Sequence, residues 1–120
     1  MAAGIAAHSQ FRDLKNVDIV RKVMEVNFMG QVLLMRHALK ELRQSKGQVV
    51  LISSVSGVAP LGYRAAYCAS KAASDQFFLS LACEEPDIRL SIMVPDTFTG
   101  SNFRSNSLVQ ASDMEQRGGK

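Results

Sequence analysis

Residues 54–71 read SVSGVAPLGYRAAYCASK, and this stretch decides the fold. It begins where a short apolar run, Val49 to Ile52, ends, and it finishes inside an alanine-rich segment of helical composition. Gly57, Pro60 and Gly62 bend the chain between the two. Three reactive side chains lie in it: the Ser54 hydroxyl, the Tyr67 phenol and the Lys71 ammonium. Tyr67 and Lys71 are four residues apart, so on a helix they share one face within side-chain reach. Ser54 follows the apolar run directly, where hydroxyls line the sites of parallel α/β sheets.

Working outward, Val49 to Ile52 is continuous, apolar and rich in β-branched residues, which predicts a parallel strand covered on both faces. A helix is expected from about Arg64 to Cys83, with Ala66, Ala69 and Ala73 forming a small-residue face for another helix. Phe77, Phe78 and Leu81 add bulk to that helix. Glu84, Glu85 and Pro86 end it, because proline cannot continue the hydrogen-bond ladder. Ile88 to Val94 predicts a second strand, stopped by Pro95. Strand, helix and strand make one βαβ unit with a right-handed crossover. Ser54 and Pro95 then share the carboxyl edge, where open α/β sheets bind ligands.

Upstream, Val17, Val20, Met24, Phe28, Leu34, Ala38 and Leu42 recur at helical spacing. Asn16 is the expected N-cap, Asp18 suits the positive end of the dipole, and Lys46 and Gly47 close the segment. So long a helix predicts a bend near Asn27 to Gly30. Residues 1–14 read as a loop. Beyond Thr99 the apolar pattern fades, and residues 100–120 read as a flexible tail.

Composition narrows the function classes. With 120 residues the chain is one domain, and 47% hydrophobic and 21% charged residues suit a soluble globular protein. A net charge of +3, spread along the chain without aromatic interleaving, gives no nucleic-acid footprint. No apolar stretch approaches the ~20 residues that span a bilayer. The first residues, MAAGIAAHSQ, do not read as a secretory signal. Cys68 and Cys83 on one helix would lie about 22 Å apart. A disulfide tolerates about 7 Å, so both are expected as small buried hydrophobes in a reducing, cytoplasmic setting. No Cys/His cluster supports a metal site. Met24, Met29, Met35 and Met93 are expected as core fillers.

The chemistry follows from the side chains. A phenol has an ordinary pKa near 10, too high for a base at neutral pH. An ammonium one helical turn away favours the phenolate, and a drop of about two units requires roughly 2.7 kcal/mol. Tyr67 would then exchange a proton with a carbonyl or alcohol oxygen while Ser54 donates a hydrogen bond to it. Taken alone, a Tyr-x-x-x-Lys pair also describes a half-buried tyrosine beside a solvated lysine.

Three motifs in order resolve that choice. Ser54 stands in ISSVSG, Tyr67 and Lys71 stand in YCASK, and Val26, Asn27 and Gly30 form a V-N-x-x-G pattern. Together they resemble the short-chain dehydrogenase/reductase family over about residues 4–100. The resemblance implies an NAD(P)-dependent oxidoreductase that reduces carbonyls or oxidises secondary alcohols, with hydride moving to or from nicotinamide. It implies catalytic roles for Asn27, Ser54, Tyr67 and Lys71, with Asn27 keeping a water that relays protons through Lys71. By the same resemblance Gly4, Tyr67, Lys71, Pro95, Asp96, Thr97 and Thr99 face the cofactor. Ser54, Gly62, Tyr63 and Tyr67 face the substrate, and His8 lies near its mouth. The two long helices are those the family pairs across a dimer interface.

The departures are as informative. Of the family's Asn-Asn-Ala-Gly segment only Ala3 and Gly4 match. Pro95 is followed by Asp96 instead of Gly, and the position of the family's nicotinamide-contacting Thr holds Gly100, leaving Thr97 or Thr99 as substitutes. Asp96 either brings a negative charge to the nicotinamide or stands as a solvated turn residue. No T-G-x-x-x-G-x-G spacing exists among the eight glycines. The expected fold is therefore α/β, a partial Rossmann-like doubly wound parallel sheet: helix, strand, helix, strand, without the first nucleotide-binding half. Residues 1–99 would be a partial domain and 100–120 the start of the substrate lid. Such a chain alone is expected to be inactive, with a nicotinamide half-site only, an exposed strand edge and a tendency to self-associate. A longer parent leaves membrane association at the endoplasmic reticulum open.

Overall fold

The apolar run and its downstream partner pair as the pattern requires. The computed structural model describes residues 1–95 and 107–108. Strand β1 (Gln48–Ile52) and strand β2 (Arg89–Met93) form a two-stranded parallel sheet, with Val49 opposite Leu90 and Leu51 opposite Ile92. Ser53 N–H donates to Met93 O at 2.8 Å and Arg89 N–H to Gly47 O at 3.0 Å, which extends the ladder at both ends. The fold class is α/β.

Helix α1 (Asp18–Met24), a π-helical turn (Glu25–Met29) and helix α2 (Gly30–Ser45) form one continuous path. The N-cap position is Val17 and not the expected Asn16, which stands one residue earlier with its Oδ1 accepting from Asp18 N at 2.9 Å in an Asx turn. The expected bend is this π turn, a wide coil that recurs at functional positions. At the other end Lys46 adopts a left-handed conformation (φ 48°, ψ 45°). Lys46 N–H donates to Arg43 O at 3.3 Å and Gly47 N–H to Leu42 O at 2.9 Å, the paired bonds of a Schellman cap. A Cβ at Gly47 would stand 2.8 Å from Leu42 Cδ2, so the end of that side chain would have to shift.

The buried stripe of this path differs from the expected one. Val23, Asn27, Gln31 and Met35 are buried, whereas Val17 and Leu34 are 46% and 56% exposed. Two polar residues occupy the inward face, while Val20, Met24, Phe28, Ala38 and Leu42 of the expected series are half-buried, Leu42 against the core.

Helix α3 (Ala65–Glu84) buries Tyr67, Ser70, Lys71, Ser74 and Phe78. Its small-residue contact face is therefore Ser70 and Ser74, not Ala66, Ala69 and Ala73; Ala69 is exposed. Beneath one face of the sheet, Met35, Val49, Leu51, Phe78 and Ile88 form the apolar core, flanked by Leu39, Phe77 and Leu81. Each such side chain contributes about 1.5–3 kcal/mol by leaving water. Val50 and Ile52, on the other face of β1, are only half-buried, so the strand is fully covered on one side. Its outer edge is not bare: Met1 N donates to Val50 O at 2.7 Å and Ile52 N–H to Met1 O at 3.0 Å, the pattern of a parallel bridge.

Glu85 follows α3 and is clamped by Arg43, whose Nε and Nη2 donate to the two carboxylate oxygens at 2.6 and 2.5 Å. Three further expectations are corrected. Cys83 is exposed, and so are Met29 and Met93; their positions on α3, the π turn and the edge strand face away from the core. Asp96, Thr97, Thr99, Gly100 and, apart from Ser107 and Leu108, the expected tail 100–120 lie outside the described residues. No helix among the described residues is long and apolar enough to cross a membrane.

Candidate active site

Three elements bring the Ser54–Lys71 segment together at the carboxyl edge of the sheet. Ser54 leaves β1 in extended conformation (φ −159°, ψ 153°), and its Oγ accepts from Ser56 N at 3.2 Å, closing a 3₁₀ turn over Val55–Gly57. Tyr67 lies in the first turn of α3, buried, with its phenol hydrogen-bonded to the Ser54 hydroxyl. Lys71, one turn on and buried, reaches back to donate to Ile52 O at 3.0 Å. Its Nζ lies 5.8 Å from the centroid of the Tyr67 ring. Ser54, Tyr67 and Lys71 thus converge as their spacing implied.

In the chain by itself, burial more than the neighbouring charge sets the direction of both groups. Burial pushes the Tyr67 phenol above its ordinary value; the Ser54 hydrogen bond and the Arg64 charge pull it down by less. Burial likewise lowers Lys71, opposed by the charge of Asp75. Lys71 points at the Ile52 carbonyl and lies beside the ring, so desolvation outweighs any acidification of the phenol. In this arrangement burial favours the protonated phenol.

Asn27, fully buried in the π turn, brackets the site from behind. Its Oδ1 accepts from Ile5 N at 2.8 Å, and its Nδ2 donates to Ile5 O at 2.9 Å and to Ser70 Oγ at 3.0 Å. Ser70 Oγ donates in turn to Tyr67 O at 2.8 Å. Ser74 Oγ lies 3.0 Å from both Asn27 O and Ser70 O. The amide and carbonyl of Asn27 are thereby spent on tying the N-terminal segment, the π turn and α3 together. Ser70 and Ser74 were not anticipated; their only signal is spacing, three residues after Tyr67 and after Lys71 on the same face.

The remaining predicted residues are placed unevenly. Gly4 is half-buried beside the Ile5 peptide that Asn27 holds, and Pro95 is half-buried just past β2. Gly62 is exposed, with open space for 4 Å around the point a Cβ would take. Tyr63 is half-exposed in a left-handed conformation (φ 63°); its hydroxyl accepts from Gln10 Nε2 at 3.2 Å and its carbonyl from Ser9 N at 2.8 Å. His8 is half-buried, with Nδ1 3.3 Å from Ser107 Oγ.

A phenol, a hydroxyl and a buried ammonium thus meet at the carboxyl ends of parallel strands, and comparison with known proteins gives the family. The model of the short chain dehydrogenase family matches residues 1–108, so the chain belongs to the short-chain dehydrogenase/reductase family. It is 37% identical over 94 residues to 11-beta-hydroxysteroid dehydrogenase-like 2 of Arabidopsis thaliana, covering 78% of this chain and 30% of that one. Against dehydrogenase/reductase SDR family member 7B of Mus musculus the identity is 38% over 110 residues, covering 89% and 33%. The chain therefore spans about a third of these relatives' length. Among solved structures, 4-hydroxyisoleucine dehydrogenase complexed with NADH and succinate superposes with a TM-score of 0.73 at 35% identity, covering 80% of this chain and 46% of that one. An alcohol dehydrogenase from Thermococcus sibiricus, complexed with 5-hydroxy-NADP, shares the fold with a TM-score of 0.80 at 20% identity, covering 88% and 44%.

Proposed function

We propose that these residues form the proton-transfer half of an oxidoreductase site that reduces a carbonyl or oxidises a secondary alcohol with NAD or NADP. The observation that carries this reading is the Ser54–Tyr67 hydrogen bond at the sheet's carboxyl edge, with Lys71 one turn beyond. Family membership and the likeness to a dehydrogenase complexed with NADH support the nicotinamide. The residues fit such a group: Lys71 spends one donor on Ile52 and keeps two more for ligand oxygens. Gly4 and Pro95 are the cofactor-facing positions we assign, with Asp96, Thr97 and Thr99 further along the chain. The nicotinamide supplies or accepts the hydride.

The chain's own residues do the rest. Tyr67 gives its proton to the carbonyl oxygen, and Ser54 holds that oxygen by hydrogen bonding as charge develops. Lys71 provides the positive charge that offsets the phenolate left behind. Asn27, through Ser70, fixes the turn of α3 that carries Tyr67. Gly62 and Tyr63 border the substrate side. Exposed Met29, Leu33 and Leu34 on the long path and Leu79 on α3 supply an apolar surface for pairing with a second copy.

The test is a titration of the chain with nicotinamide cofactor, followed by turnover with a panel of ketones and secondary alcohols. Tyr67→Phe is expected to lower kcat by about 10²–10⁴-fold. Because the phenol holds its proton at neutral pH, reduction is expected to persist above pH 7 while oxidation rises with pH. Equal turnover by Tyr67→Phe would sink the mechanism. No binding at millimolar cofactor, with dimers still formed, would replace it with a non-catalytic fragment that acts through helix pairing.

A further inference from the structure

On the far side of Lys71 lies a polar cluster with no part in the steps above. The Val55–Gly57 turn packs on α3, and a Cβ added to Gly57 would stand 2.5 Å from Asp75 Oδ2, 3.3 Å from Ser53 Oγ and 3.4 Å from the Lys71 carbonyl carbon. A Cβ at position 57 would push the Asp75 carboxylate from its present place. Asp75 Oδ1 and Ser53 Oγ are buried without a hydrogen-bond partner, as is Ser56 Oγ of the same turn. Buried polar atoms are ordinarily paired, and a carboxylate with one oxygen buried and unpaired draws stabilisation from nearby charge instead. Asp75 is four residues after Lys71, the spacing that places two helical side chains together.

We propose that Asp75 is a positioning residue of the Ser54–Tyr67–Lys71 group: packed beneath Gly57, its carboxylate seats the serine-bearing turn on α3 and supplies the counter-charge to the buried Lys71 ammonium. Its charge is the one that opposes the effect of burial on Lys71. The competing groups are distant in character. On the elements packed against α3, Asp18, Arg21 and Lys22 of α1, Glu25 of the π turn and Arg89 of β2 are all exposed. The Val55–Gly57 turn and β1 carry no ionisable side chain. Tyr67, the ionisable neighbour on the same helix face, is held neutral by burial. Asp75 is thus left to balance the lysine, and through Gly57 it couples that charge to the turn holding Ser54.

The inference takes its catalytic meaning from the function proposed above, but its test does not need turnover. Lysine labelled with ¹³C at Cε is followed by NMR through a pH titration of the chain, with Lys71→Met assigning the signal. In Asp75→Asn the Lys71 midpoint is expected to fall below that of the unsubstituted chain. The unsubstituted chain should also show a second, smaller inflection of the Lys71 signal where Asp75 takes up its proton. That inflection decides the matter if Asp75→Asn does not fold. An unchanged midpoint in Asp75→Asn, or no acid-side inflection, overturns the proposal. A chain that binds no cofactor would defeat the oxidoreductase reading and leave this measurement standing.

Discussion

Over its first half α3 buries Tyr67, Ser70, Lys71 and Ser74, whereas its second half buries Phe78 and leans Phe77 and Leu81 on the sheet. The first half is positioned by directed bonds: Ser70 to Asn27, Ser74 to the Asn27 carbonyl, Lys71 to Ile52. The second half is positioned by volume, with Phe77 edge-on to both Phe28 and Phe78 at 5.9 and 5.5 Å. Apolar burial is non-directional and tolerates small shifts; a hydrogen-bonded bracket does not. One helix thus takes its stability from one end and its precision from the other.

That division can be broken by substitution. The largest loss is expected at the apolar end, where Phe78→Ala should cost about 3–5 kcal/mol in denaturant unfolding by opening a cavity under the sheet. Next comes Asn27→Ala, which strands the Ile5 N–H and C=O and should cost roughly 2–3 kcal/mol. If the bracket works by direction, Asn27→Ala should also broaden the amide signals of residues 67–71, while Phe78→Ala leaves them sharp. Similar broadening in both variants would erase the contrast.

A smaller effect tests the polar clamp at the apolar end. The Arg43 guanidinium, chiefly by hydrogen bonding and then by its charge, holds Glu85 below the ordinary carboxylate range. A depressed folded-state pKa contributes stability above the unfolded-state value, and this is lost as pH falls through the folded-state value. Thermal melts of Arg43→Met should therefore lie below the unsubstituted chain at neutral pH and converge with it in acid. Parallel curves would show that Glu85 draws nothing from the pair. The smallest expected change is a gain: Lys46→Gly relieves a left-handed lysine and should add about 0.5–1 kcal/mol.

How much of this could be read beforehand depended on what kind of signal each part leaves. Ser54, Tyr67 and Lys71 were legible because one spacing carries both the chemistry and the helical geometry. The strands and α3 were legible because β-branched runs, Pro86 and Pro95 mark them locally. The inward face of the upstream path was not, since Asn27 and Gln31 occupy positions that a hydrophobic pattern assigns to water. Ser70 and Ser74 were hidden for the same reason: a buried serine looks like a surface one until its partner on another element is known. Met1 beside β1, and Asp75 beneath Gly57, are contacts between distant residues that no local pattern encodes. The direction in which the chain by itself moves Tyr67 was not legible, because a sequence shows the neighbouring charge but not the depth at which both groups lie.

The π turn explains one more peculiarity. Val23, Asn27, Gln31 and Met35 follow one another at every fourth residue. On an ideal α-helix such a series drifts about 40° around the axis at each step, and after three steps the last member would point well away from the first. A single over-wide coil winds back part of that drift, so that all four keep one bearing toward the interior. Removing one residue from Glu25–Met29 would leave eleven regular steps of about 100° between Val23 and Met35, only about 20° from whole turns, so the straightened helix would keep both ends facing the interior. What the wide coil holds is therefore its own middle: the Asn27 carbonyl, which accepts from Ser74 Oγ at 3.0 Å.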